Sequence, residues 1–242
     1  MNYKNISVFL PVFNEGENIE ESVLSIKKYL QKRFKDFEIL VISDGSTDNT
    51  NKIVRGLSKK DKRIKLFARD KRLGYGAGLK TGFKHSSKDL IFYTDADNQF
   101  NIEEMDRLFP LLNRYDIVSA YRINRKDPLM RIFVANVYNL LVRIIFGLKI
   151  KDVDASFKLY KREVFDKMKL VTNTGLTDAE ALIKAQKLGF KIGQIGVRHY
   201  PRLYGRTSYE VGARNKIIAF VRPKVVLDIL REMKTLWLDL KK

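Results

Sequence analysis

Short runs of β-branched and aromatic residues alternate along the first half of the chain with segments whose apolar positions recur every three or four residues. That alternation predicts a parallel sheet with crossover helices. Strands are expected at Ile6 to Val12, Phe37 to Ser43, Ile64 to Ala68 and Leu90 to Thr94, with helices at Asn18 to Leu30, Thr47 to Leu57 and Gly76 to His85. The order is β-α-β-α-β-α-β. A fifth strand is expected at Asp116 to Ala120, then a basic loop and an amphipathic helix from Arg131, and two further elements around Thr177 to Leu188 and Lys191 to Val197. The chain closes on a helical stripe of Val226, Ile229, Leu230, Met233, Trp237 and Leu240, with Pro223 suited to its first turn.

In sheets of this kind ligands bind outside the carboxyl ends of the strands, and those are the places where this sequence turns polar. Asn14-Glu15 follows the first strand, Asp44-Gly-Ser-Thr-Asp48 the second, and Asp95-Ala-Asp97 the fourth. Two carboxylates one residue apart at a buried strand end suit a hard divalent cation, Mg²⁺ or Mn²⁺, which takes oxygen ligands and is commonly shared with substrate phosphates. Gln99 is placed to add a carbonyl ligand. Asp48 reads as a helix cap, whereas Asp44, nearer its strand end, is the better candidate for contacting a base or ribose. Pro11, Phe13 and Glu15 lie at the adjacent strand end. The glycines of Arg72-Leu-Gly-Tyr-Gly-Ala-Gly-Leu-Lys-Thr-Gly permit close backbone approach to a ligand, but they match neither a P-loop nor a dinucleotide fingerprint.

The length of 242 residues fits one catalytic unit, with a boundary expected between residues 212 and 213 before the amphipathic segment. The absence of cysteine excludes disulfide and thiol chemistry. A formal net charge of +19 calls for anionic partners, and since no nucleic-acid-binding motif accompanies it, a membrane surface and phosphates are expected instead. No basic-then-apolar leader opens the chain, and Ile132 to Leu148 is interrupted by Asn136, Asn139 and Arg143, so neither secretion nor a membrane span is expected.

Six segments in order carry a family resemblance: Pro11-Val-Phe-Asn-Glu, Val41-Ile-Ser-Asp-Gly-Ser-Thr-Asp, Gly74-Tyr-Gly-Ala-Gly, Thr94-Asp-Ala-Asp-Asn-Gln, Asp152-Val-Asp-Ala-Ser-Phe and Pro201-Arg-Leu-Tyr-Gly-Arg-Thr-Ser. Together they resemble glycosyltransferase family 2, in its dolichyl-phosphate or polyprenyl-phosphate branch. The resemblance implies a GT-A fold, mostly parallel, and inverting transfer of a hexose, mannose or glucose, from a GDP- or UDP-hexose to a lipid phosphate. It further implies a metal held by Asp95, Asp97 and Gln99, donor contacts from Pro11, Phe13, Glu15, Asp44, Asp95 and Ala96, and phosphate contacts from Arg122, Arg131 and Arg202, with Asp97 and these arginines as the catalytic set. Such a chain is expected in the cytoplasm, peripheral on the cytoplasmic face of a membrane, held there by its C-terminal segment or by a separate membrane subunit. Two positions depart from the family pattern: Ser156 stands where a glycine is usual, and Ser208, beside Arg206, where a lysine is usual. A dianionic phosphate nucleophile needs no general base, whereas a hydroxyl acceptor would need one. Asp178 and Glu180 are the candidates for that alternative, although capping of their helix is the expected role. A non-catalytic basic binding module is the remaining reading, and a metal site would be of no use to it.

Overall fold

The computed structural model describes residues 4–125, 127, 129–202 and 223–241. Seven strands form one sheet in the order β3-β2-β1-β4-β6-β5-β7. They span Asn5–Val12 (β1), Asp36–Asp44 (β2), Ile64–Arg69 (β3), Leu90–Thr94 (β4), Ile117–Ile123 (β5), Phe157–Lys161 (β6) and Ile192–Arg198 (β7). Six strands run parallel, and β6 alone is antiparallel, paired on one side with β4 and on the other with β5. β1, β2 and β4 are buried almost throughout, as apolar runs covered on both faces should be.

The helices are α1 (Ile19–Gln31), α2 (Thr50–Lys60), α3 (Tyr75–His85), α4 (Leu129–Phe146), α5 (Glu163–Asp166), α6 (Leu176–Lys187) and α7 (Pro223–Asp239). One core layer packs α1 and α2 on the sheet through Ile19, Val23, Leu30 and Val54. The other face carries α3, α4, α6 and α7 through Leu79, Val142, Leu182, Met233 and Leu236. The glycines of α3 owe their place to packing. A Cβ on Gly82 would fall 2.2 Å from the Phe9 ring, and one on Gly76 would fall 2.1 Å from the Thr177 hydroxyl oxygen.

The C-terminal helix divides its apolar stripe between core and solvent. Met233 and Leu236 are buried in the shared core, Ile229 and Leu240 pack against it, and Glu232 accepts hydrogen bonds from the Asn173 and Thr174 amides. Leu230 and Trp237 remain exposed. The side chain of Val226, the boundary at residues 212 and 213, and Arg206 and Ser208 lie outside the described residues. Among the described residues no helix is long and apolar enough to cross a membrane.

Candidate active site

The carboxyl ends of β1, β2 and β4 open into a cavity of about 320 Å³. Pro11, Phe13, Glu15, Asp44, Asp95, Ala96, Asp97, Gln99, Arg122 and Arg202 all line it, so residues up to 191 positions apart in the chain converge there, from Pro11 to Arg202. The side chain of Arg131 lies outside the described residues, and its backbone belongs to α4. Asp48 is absent from the cavity wall. Its carboxylate accepts from the Thr50 amide at 3.0 Å and the Gly16 amide at 2.9 Å, the capping role expected of it.

Three strand ends turn through an asparagine in the left-handed region: Asn14 after β1, Asn98 after β4 and Asn124 after β5, with φ of 55°, 57° and 54°. Asparagine tolerates that conformation because its short side chain can bond locally. Asn14 accepts from the Thr47 amide at 2.8 Å, tying the end of β1 to the loop after β2. The Ser22 hydroxyl reaches the Ala96 carbonyl at 2.8 Å, fixing the peptide between the two aspartates from behind.

Asp95 and Asp97 face the cavity from this turn. Burial, and after it the charge of Asp97, push the Asp95 carboxyl up to about 7, while the Ser156 hydroxyl, donating at 2.7 Å, works in the opposite direction. The departure from the family glycine therefore supplies a donor to a carboxylate of the pair. Among the described residues no three His, Cys, Asp or Glu side chains are grouped to hold a metal by themselves. Two mutually repelling carboxylates fit a cation that completes its shell with substrate phosphate and water. Gln99 spends its amide N–H on the Tyr200 carbonyl at 3.1 Å, which fastens the 199–202 segment to the same turn.

The arginines hold different positions. Burial opposes the charge of Arg122, and Asp152, which grips both ends of its guanidinium at 2.7 and 2.8 Å, more than offsets it together with the charges of Asp154 and Asp127. It therefore enters the cavity already neutralised. Arg202 pairs with Glu15 and stands 3.7 Å from Asp97, spanning the acidic turn. Burial raises the Glu15 pKa, and Asn18 and Arg202 offset part of that rise. Asp44 accepts from Arg69 at 2.9 Å and from the amides of Leu73 and Gly74 at 2.9 and 2.7 Å, and so clamps the glycine-rich turn. Gly74 (φ 101°) and Gly78 border the cavity, and Arg72 lies over the Phe13 ring at 3.9 Å.

The structure overturns the capping role for Asp178 and Glu180, since α6 begins after Gly175 with no side-chain cap. Glu180 is fully buried and accepts from the Val171 and Thr172 amides and the Thr172 hydroxyl, which leaves it no part in proton transfer. Asp178 forms a buried pair with Lys158 at 2.7 Å. His85 bonds the Thr81 carbonyl and packs on Phe67, away from the cavity, whereas His199 lines it beside Phe100.

Asp154 is a cavity residue to which the sequence reading assigned no role. Its side chain is exposed at the cavity, where partial loss of hydration, with the Asp178 charge, pushes its carboxyl up to about 7. A carboxyl raised in the folded state favours folding while protonated, so its contribution is present below the unfolded value of about 3.9 and lost as pH rises to about 7. Because the side chain is exposed, solvent screening reduces the effect, and Asp154→Asn is expected to melt only slightly above the parent at pH 8, with the gap closing toward pH 5. A gap independent of pH in thermal denaturation would remove this role.

Residues 7–169 match the model of a known family, described as glycosyl transferase family 2. The chain belongs to glycosyl transferase family 2. Among curated relatives, the undecaprenyl-phosphate 4-deoxy-4-formamido-L-arabinose transferases of Salmonella choleraesuis (strain SC-B67) and Salmonella newport (strain SL254) are each 31% identical over 208 residues. The match takes in 85% of this chain and 63% of those relatives, so the chain spans less than two thirds of their length. The fold resembles the crystal structure of glucosyl-3-phosphoglycerate synthase from Mycobacterium tuberculosis in complex with Mn²⁺, uridine diphosphate and glucosyl-3-phosphoglycerate. That match has a TM-score of 0.63 and 21% identity, over 83% of this chain and 73% of the other. The same enzyme with Mg²⁺ and uridine diphosphate gives 0.62, at 21% identity and the same coverage. The family 2 chain thus has the α/β GT-A-like fold that the resemblance implied, with a single antiparallel strand.

Proposed function

We propose that this family 2 chain transfers a hexose, mannose or glucose, from a GDP- or UDP-hexose to a polyprenyl or dolichyl phosphate, with inversion at the anomeric carbon. The observation that carries the proposal is the Asp95–Asp97 turn, set at a strand end in a cavity that α4 and α7 also border through Val134, Tyr138 and Ile229. One wall is acidic and polar, fit for a donor. The other is apolar, fit for a lipid-linked acceptor. The relatives support both halves: the curated ones are undecaprenyl-phosphate sugar transferases, and the solved one holds uridine diphosphate with Mn²⁺ or Mg²⁺.

Asp95 and Asp97 would hold Mg²⁺ or Mn²⁺, with Gln99 steadying the turn, and the cation when bound would neutralise charge on the departing diphosphate. Pro11, Phe13, Glu15 and Asp44 shape the nucleoside end, Asp44 through the glycine turn it clamps. Arg202, drawn toward Glu15 and Asp97, is the cation best placed to move onto a phosphate, and Arg131 on α4 serves the acceptor side. Arg122, locked to Asp152, orients the floor. Attack by an acceptor phosphate oxygen requires no proton transfer, since its second pKa of about 6 leaves it dianionic at neutral pH. The reading places the chain peripherally on the cytoplasmic face of a membrane, with or without a separate membrane subunit.

A second reading, transfer to a sugar hydroxyl, is favoured by one observation: Asp154, near 7 and in the cavity, has the character of a general base. Removing it would then abolish transfer, whereas a phosphate acceptor would tolerate Asp154→Asn. Arg202→Ala and Arg131→Ala are each expected to weaken use of donor or lipid phosphate by roughly 1.5–3 kcal/mol, the value of a hydrogen bond to a charged group. Steady-state constants for both substrates report this, and unchanged values in both variants would show that neither arginine touches a substrate phosphate.

A further inference from the structure

The outer face of α4 is left unexplained by the site. Met130, Phe133, Val137, Leu140 and Ile144 recur at spacings of three and four, and they are 41, 63, 40, 52 and 70% exposed. Ile145 extends the stripe at 41%. The opposite face is apolar as well: Ala135 and Val142 are buried, and Tyr138 and Leu141 pack on the core. A contiguous exposed apolar patch of this kind marks an interaction surface. Across the cavity α7 adds Leu227 and Leu230, 54 and 46% exposed.

The charges around the stripe select its occupant. Between Asp127 and Asp152 the chain carries no acidic residue, while Arg131, Arg143, Lys149 and Lys151 all fall within that stretch. Of these Arg143, Lys149 and Lys151 are exposed. A second copy would bring these same cations together, on a chain whose formal charge is already +19. An anionic bilayer complements them, and an apolar stripe flanked by cations is the composition of a helix lying in the interfacial plane. Asn136 and Arg143 on the exposed side suit that depth, and neither would suit a span.

We propose that the outer face of α4 seats the chain on an anionic lipid surface, with the cavity that Val134, Ala135 and Tyr138 line lying behind the same helix. The use of that cavity for the acceptor rests on the lipid-phosphate reading above; the docking does not, and it is measured without turnover. The sequence pattern pointed to α7 for this role, yet α7 spends Met233 and Leu236 on the core and α4 leaves its longest stripe free.

Flotation of the full chain with phosphatidylcholine vesicles, with and without phosphatidylglycerol, at low and high salt, tests the docking. The parent is expected to float with the anionic vesicles and to be released by salt. Phe133→Glu/Leu140→Glu/Ile144→Glu should lower its partition by at least roughly tenfold. Circular dichroism and melting temperature verify that the variant folds. Leu24→Glu/Leu188→Glu, at exposed apolar positions elsewhere, should float like the parent. Equal flotation of the α4 variant, or a parent dimer that this variant dissolves in analytical ultracentrifugation, would overturn the proposal. Normal docking with no lipid-linked product would count against the acceptor assignment and leave the docking standing.

Discussion

Replacing Asp97 by asparagine is expected to cut sugar transfer by about 10²–10³-fold, the cost of losing a charged group that acts on a developing diphosphate. The fold should survive. Asp97 stands at the end of β4, where its carboxyl accepts the Gln99 amide at 3.2 Å, a contact that an asparagine carbonyl can keep. What goes is charge: with Asp95 left alone, the turn loses half of its capacity to compensate a divalent cation. Arg202, 3.7 Å from Asp97, would then lean wholly on Glu15. Calorimetric titration with Mn²⁺ in the presence of the nucleoside diphosphate should show the loss of affinity directly. Activity within a few-fold of the parent would remove the metal assignment.

The largest effect on stability is expected at Lys158, which is fully buried at the second position of β6. Its ammonium donates to Asp178 at 2.7 Å, to the Tyr93 hydroxyl at 3.0 Å, and to the carbonyls of Val153 and Ala155 at 2.9 and 2.5 Å. Burial raises the Asp178 pKa and Lys158 opposes the rise, so the carboxylate depends on this one cation. Lys158→Ala is expected to destabilise by roughly 3–5 kcal/mol, the cost of breaking a buried pair on one side. For a chain of this size that lowers the melting temperature by on the order of 10 °C. Lys158→Met/Asp178→Leu should recover much of the loss, because it leaves no charge uncompensated. If the single variant melts within a degree or two of the parent, the pair does not hold the β6–α6 contact.

The first four strands and three helices were legible to within about three residues because apolar runs there are punctuated by Asn, Asp and Gly at each strand end. β6 was not. Its sequence Phe-Lys-Leu-Tyr-Lys places a lysine at a fully buried position, and only the partner on α6, twenty residues on, makes that position tolerable. The same separation hid the role of Asp178, since capping is a local rule and this pairing is not. Arg122 illustrates the limit for the site: its motif suggested a phosphate ligand, whereas the structure gives its guanidinium to Asp152, thirty residues away. Asp95, Asp97 and Glu15 were legible because strand-end position alone brings them to the cavity. Asp154 had no such signal, being an ordinary loop aspartate until the fold brings it to the cavity.

What receives the sugar separates a lipid phosphate from a hydroxyl acceptor. Radiolabelled GDP-mannose, UDP-glucose and related donors should be incubated with the chain, Mn²⁺ and a polyprenyl phosphate, and the products partitioned between organic and aqueous phases. Label is predicted to enter the organic phase with one of these donors, to need both the divalent cation and the lipid phosphate, and to vanish with Asp97→Asn. Label that stays in the aqueous phase on a hydroxyl acceptor, while the lipid phosphate remains unmodified, would contradict the lipid-phosphate assignment.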